Sequence, residues 1–231
     1  MTESTSPSFI KNLSDVFANP SAFSQRFFDA KPGVIIPLVL MITAMMVVQY
    51  VYLSSMTFDE FIALNLREVE PAARAEARQG MQMLGQTGII AMGMVSIAII
   101  MPIVMALTAL VYMLANRISG TTERGYVDWF RASVWSSLPV LFLAVGGVVN
   151  VLISEPGSID PMLISLTNVN GLILQIPFGE PGYKLWSALD LTSFWSIFIL
   201  FSILRANGQS SVAAVIIAAI PMAVGVAIQA I

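Results

Sequence analysis

Residues 33–53 read GVIIPLVLMITAMMVVQYVYL, without one charged side chain. About 20 such residues in a helix cross the ~30 Å hydrocarbon core of a bilayer. Inside lipid the backbone must satisfy its own hydrogen bonds, so several runs of this kind leave a helical bundle as the available fold. Five stretches carry the pattern: 33–53, 88–115, 132–153, 186–204 and 211–231. The fourth is the weakest, because Asp190 falls about one turn into it. The expectation is an all-α polytopic membrane protein with five transmembrane helices over residues 32–231. A separate N-terminal segment, 1–31, precedes them.

Composition points the same way. The chain is 57% apolar and only 11% charged, with a mean hydropathy of +0.81, against about 25% charged residues in soluble domains. The net charge of -3 argues against nucleic acid as a partner, since phosphate neutralisation needs clustered Lys and Arg. There is no cysteine and no histidine, which removes thiol chemistry, disulfides, His-bound metals and imidazole acid–base catalysis. No nucleophile elbow, no Walker loop and no pair of carboxylates directed into a span is found. Neither an enzyme nor a cofactor is expected. The first apolar run opens only at Gly33 and lacks a small-residue cleavage site, so it is read as a retained span rather than a signal peptide.

Basic residues orient the bundle. Lys11, Arg26, Lys31, Arg117, Arg124, Arg131 and Arg205 fall on one side, Arg67, Arg74, Arg78 and Lys184 on the other. The positive-inside rule then puts the N-terminus in the cytoplasm and, with five spans, the C-terminus outside. The first outer loop alternates charge sign at helical spacing, as a salt-bridged solvated face does. The second has an apolar middle, 162–176, suited to a re-entrant or interface-lying piece.

The N-terminal segment is aromatic but too polar to cross. Phe9, Ile10, Leu13, Val16 and Phe17 repeat at i, i+3 and i+4, and Lys11, Asn12, Ser14 and Asp15 take the other side, the pattern of an amphipathic helix. Asn19 can cap a second helix with Pro20 in its first position, on which Phe23 and Phe27 stack one turn apart. Two placements are open: in the cytoplasmic interface, or packed on the loop between the second and third spans. That loop carries Tyr126, Trp129, Phe130 and Arg131, a basic–aromatic set suited to headgroup depth.

Within the spans, Pro37, Pro102, Pro139 and Pro221 imply kinks. The methionines from Met81 to Met113 and the small residues of the last span read as packing. Gln49, Asn150 and Asp190 are expected at similar depth near the outer face. Polar groups at such depth are costly and count as functional candidates. Asp190 either reaches the interface and orients its helix, or joins the other two in a cluster that binds a headgroup or a proton.

The segment NRISGTTERGYVDWFRASVWSSLPVLF, residues 116–142, resembles the bacterial branch of the Yip family of small multi-spanning membrane proteins. A Gly120-containing turn leads into a polar–aromatic stretch and then a small-residue segment with Ser136, Ser137 and Pro139. FANPSAF, with Asn19, Pro20 and Phe23, is similar to the entry segment of that branch. The resemblance implies five spans, a cytoplasmic N-terminus and an outer C-terminus. Eukaryotic members serve vesicle traffic and bind prenylated Rab GTPases, whereas some bacterial members resemble accessory proteins of ABC-type exporters. It supplies no catalytic residue. The expected function is a scaffold or accessory protein of the inner membrane, with the lipid bilayer and a membrane protein or a second copy as partners. The alternative is a small transporter, channel or lipid translocator with a pocket at Gln49, Asn150 and Asp190.

Overall fold

The computed structural model describes residues 8–67, 69–119 and 121–229; Gly120 lies outside them. Among the described residues the fold is all helical, with a single isolated bridge between Asn168 and Asp190. The helices are α1 (Phe9–Ala18), α2 (Pro20–Ala30), α3 (Ile35–Ser54), α4 (Phe58–Asn65), α5 (Arg74–Ile118), α6 (Tyr126–Ser136), α7 (Val140–Ile153), α8 (Tyr183–Ser187), α9 (Leu191–Ala206) and α10 (Ser211–Gln229). Among the described residues four stretches are long and apolar enough to cross a membrane: Ile35–Ser54, Pro71–Ile118, Tyr126–Ile153 and Ser211–Ile228. The hydropathy pattern predicts the fourth of five spans at 186–204, but α9 opens only at Leu191 and runs 16 residues. Of the five residues before it, Trp186 and Ser187 end α8, Ala188 and Leu189 are non-helical and Asp190 forms the bridge, so Asp190 precedes the helix rather than lying inside it.

Local chemistry explains the helix ends. The Ser8 hydroxyl caps α1, and the Asn19 side chain caps α2 at 3.2 Å from the Ala22 N–H, with Pro20 in the first turn where its missing donor costs nothing. Thr57 and Glu60 form a reciprocal capping box on α4. The carbonyls at the end of α3, which have no helical partner, are met by side chains. Gln86 donates to Leu53 O and Met56 O at 2.9 and 3.1 Å, and Ser55 Oγ donates to Tyr52 O at 2.7 Å. Gly85 interrupts α5 with φ 65° and ψ 167°, a conformation essentially confined to glycine.

The predicted third span is divided by Pro139 into α6 and α7. Pro139 has no N–H, and the turn before it tightens so that the Ser137 N–H reaches Val134 O instead of Ser133 O. The freed Ser133 carbonyl accepts the hydroxyls of Ser137 at 2.8 Å and Ser136 at 3.3 Å. The two serine hydroxyls therefore stand in for the Ser137 N–H that the tightened turn draws away from the Ser133 carbonyl.

The described residues fall into two compact units, from residues 1–41, 102–140 and 191–231, and from 42–101 and 141–190. In the first, α9 packs on α2, α6 and α10, and α1 packs on α2. Ile199, Leu200, Ile203 and Leu204 are the buried stripe of α9, joined in the core by Phe23, Phe27, Trp129, Trp135 and Leu138. In the second, Tyr52, Leu53, Met56, Leu64 and Val151 form the core. A Cβ on Gly147 would meet Ile164 at 3.2 Å and Val48 at 3.3 Å, so glycine is what lets α7 approach them.

Candidate functional site

Asp190 and Asn150 are both hydrogen-bonded to the 162–190 segment of the second unit, and Gln49 lines a cleft in the same unit. Asp190 is buried, and its carboxylate accepts from Ser165 Oγ at 2.6 Å and Thr167 Oγ1 at 2.8 Å. Asn168, on the other side of the bridge, is also buried; it donates to Met162 O at 3.2 Å and accepts from the Gly171 N–H at 3.0 Å. Asn170, fully buried, accepts from the Ile176 N–H at 2.8 Å and donates to Ser187 Oγ at 3.1 Å. These groups fold the 162–190 segment onto itself. Asn150 on α7 donates to Leu163 O at 3.1 Å and Ile164 O at 3.0 Å, which ties the helix to the start of that segment.

Gln49 stands elsewhere. It lines a cleft of about 470 Å³ with Tyr52, Asn65, Met92, Gly93, Ser96 and Ile164 among its walls. Its Nε2 lies 3.2 Å from where a Cβ on Gly93 would sit, so Gly93 makes the space the amide occupies. Neither Asn150 nor Asp190 lines this cleft. The sequence marks all three residues as polar groups requiring explanation. Hydropathy alone says nothing about which loop carbonyls and hydroxyls come to meet them.

In the first unit the aromatic residues of α1, α2 and α6 meet. Phe23 packs edge-on to Phe27 at 5.4 Å and tilts against Trp135 at 5.4 Å, while Phe9 reaches Trp135 at 5.9 Å. Phe28 bridges Phe27 and Trp129, at 5.2 and 5.7 Å. Of the two placements open for the N-terminal segment, the contacts put the rings of Phe23 and Phe27 inside protein. Trp129, expected at headgroup depth, is fully buried, with Phe28 edge-on against its ring. Tyr126 remains 40% exposed and donates to Ala106 O at 3.1 Å; its ring stacks on Phe130 at 6.4 Å. Phe130, Arg131 and Phe17 are half-buried, and Arg131 is ion-paired with Asp128 at 2.7 Å. Asp15 likewise holds Arg26 at 2.5 Å, linking α1 to α2.

One cluster escapes the sequence reading. Asn116, Asn207 and Gln209 are all buried. The Asn116 Oδ1 accepts from Asn207 Nδ2 at 3.1 Å, Gln209 Nε2 at 2.8 Å and Thr121 Oγ1 at 2.8 Å. Arg124 Nε donates to Asn207 Oδ1 at 3.0 Å, and its guanidinium lies 4.5 Å from the centre of the Phe28 ring. The network locks the α5–α6 loop to the α9–α10 loop. Its signal was two short loops of Asn, Gln and Thr bounded by apolar helices, but no spacing rule joins positions 91 and 93 residues apart.

The polar groups of these helices thus serve largely to hold helix ends and loops together in a multi-pass membrane protein. No curated protein and no solved structure matches the chain. The Yip1 domain family matches residues 14–231, nearly the whole sequence. That span takes in the capped Asn19-Pro20 turn, the α5–α6 loop and the Ser-Ser-Leu-Pro kink, and the chain belongs to the Yip1 domain family.

Proposed function

We propose that this protein is a non-enzymatic scaffold or accessory subunit of the inner membrane, of the bacterial branch of its family, that organises membrane-protein partners or lipids. The observation that carries this reading is the fate of the polar candidates. Asp190 and Asn150 are engaged by the protein's own 162–190 segment, and the cleft beside Gln49 is lined by neither. Those two groups are taken up in internal bonds, while the spans present wide apolar surface: the most apolar stretch of Pro71–Ile118 is only 6% buried. In this reading α9 is the fifth crossing. Its 16 residues rise about 24 Å, and modest bilayer thinning accommodates the shortfall. The basic-residue bias favours a cytoplasmic N-terminus and an outer C-terminus, with α1 and α2 as an aromatic collar at the cytoplasmic end. A mild-detergent pull-down of the full chain, read by mass spectrometry against a detergent-matched unrelated membrane protein, tests it. Reproducible recovery of no membrane-protein partner would sink the scaffold.

The second reading, a small transporter or lipid translocator, rests on the 470 Å³ cleft, where Gln49, Asn65 and Ser96 supply polar groups among apolar walls. Closing it with Gly93→Leu would abolish a transport phenotype and leave partner recovery intact if this reading holds.

A further inference from the structure

Where α2 turns into α3, a cleft of about 670 Å³ opens in the first unit. Val127, Arg131 and Trp135 line one wall from the same face of α6, at i, i+4 and i+8, and Phe9 and Asn12 of α1 line another. Ala30, Pro32, Gly33 and Val34 of the α2–α3 junction also line it, held to α6 by the Trp135 indole, whose Nε1 donates to Gly33 O at 3.0 Å. At the mouth stand Lys31 and, on the apolar side, Ile35 and Ile36, 74% and 58% exposed. These isoleucines open the first turn of a 20-residue apolar helix, which places them at the boundary between headgroups and acyl chains.

Lys31 is in an unusual conformation. It ends α2 in the left-handed region, φ 45° and ψ 59°, with its N–H on Phe27 O at 3.1 Å. A side chain is disfavoured there, glycine is the usual solution, and a following proline disfavours helical backbone further. Pro32 follows. Cap geometry alone therefore asks for glycine, not for a long cation. Among the described residues no carboxylate pairs with Lys31, whereas Arg131 is held in place by Asp128. The cleft thus combines one ammonium with no ion-pair partner among the described residues, one positioned guanidinium and an apolar lip at interface depth.

We propose that this cleft binds one anionic phospholipid of the surrounding bilayer. Its phosphate sits between Lys31 and Arg131, and its acyl chains run along Ile35, Ile36 and Val127. A net-negative headgroup matches the surplus positive charge, and a zwitterionic one brings its own cation into the same space. The inference depends on the multi-pass membrane placement and not on the scaffold reading, so each can fail alone.

The test uses the full chain in mild detergent with equal amounts of dioleoyl phosphatidylglycerol and dioleoyl phosphatidylcholine, retained lipid being read by native mass spectrometry. One phosphatidylglycerol per chain should be retained in preference. Lys31→Gly should cut that preference about five-fold, the factor for one cation near an anionic surface, while the lipid-free unfolding midpoint stays level or rises as the strained cap relaxes. Lys31→Asn, which also tolerates the left-handed region, should behave alike, and Lys31→Arg should keep the preference. Equal retention of the two lipids, or undiminished preference in both neutral variants, would overturn the proposal. Displacement of the lipid by millimolar glycerol phosphate would also overturn it, because the site would then read a free phosphate; persistence of the lipid supports it.

Discussion

The indole of Trp135 donates to the Gly33 carbonyl at 3.0 Å, joining positions 102 residues apart in the chain. Through this bond α6 fixes the linker from which α3 departs. Trp135→Phe keeps an aromatic ring against Phe9 and Phe23 but removes the donor. Because Gly33 is exposed, its carbonyl can turn to water, and the expected loss is about 1 kcal/mol. Trp135→Ala should lose about 3–5 kcal/mol, since it also empties a buried site. Unfolding midpoints of the two variants in one detergent check the order; equal losses would mean that the ring contributes nothing beyond its donor.

Two glycines of α5 should respond to alanine with opposite signs. Gly80 has ordinary helical backbone and open space where a Cβ would sit, so Gly80→Ala should stabilise by about 0.5–1 kcal/mol. Gly85, at φ 65° and ψ 167°, should lose about 1–3 kcal/mol on the same change. Thermal unfolding of both variants tests the pair, and a stabilising Gly85→Ala would contradict the break in the helix.

Asp190 organises the 162–190 segment through two hydroxyls. Asp190→Asn retains one acceptor oxygen, whereas Asp190→Ala leaves the hydroxyls of Ser165 and Thr167 without it. The alanine variant should lose about 1–3 kcal/mol and the asparagine variant less. Amide hydrogen exchange over residues 162–190 should rise in that order, and unchanged protection in both variants would count against the assignment.

Glu60 links pH to α4. Hydrogen bonds from the Thr57 backbone N–H, and then from its hydroxyl, hold the Glu60 carboxyl below its usual pKa. A folded-state pKa below the unfolded one means the ionised form stabilises α4 above the unfolded pKa, and that this contribution fades as pH falls through the folded value. Protection of α4 amides should therefore decline on acidification in the wild type. Glu60→Gln should start lower at neutral pH and change less; parallel pH profiles would refute the linkage.

Much of the architecture was open to reading before any coordinates. Asn19-Pro20 announced a capped helix start, since side-chain capping and a donor-free first position are local chemistry, and α2 begins there. The long apolar runs announced spans because the bilayer imposes a length. What local pattern misjudged was Asp190. The apolar run 186–204 placed it about one turn into a continuous span, but the bridge to Asn168 and the bonds to Ser165 and Thr167 draw it into the segment before α9. Hydropathy likewise did not show that the Trp129 ring is buried against Phe28.

The amino-acid sequence by itself determined the class of molecule. Apolar length, scarce charge and the absence of Cys and His are additive properties, needing no knowledge of which residues meet. Only the tertiary structure decided what the polar residues are for. A buried amide or carboxylate must find partners wherever the fold supplies them, and for Asn116 and Gln209, or Asp190 and Thr167, those partners are 93 and 23 positions away. Their pairing is a property of the packed helices and loops, which is why only the structure showed Asn150 and Asp190 bonded to the 162–190 segment and Gln49 lining a cleft, while the cationic cleft at Lys31 and Arg131 came into view.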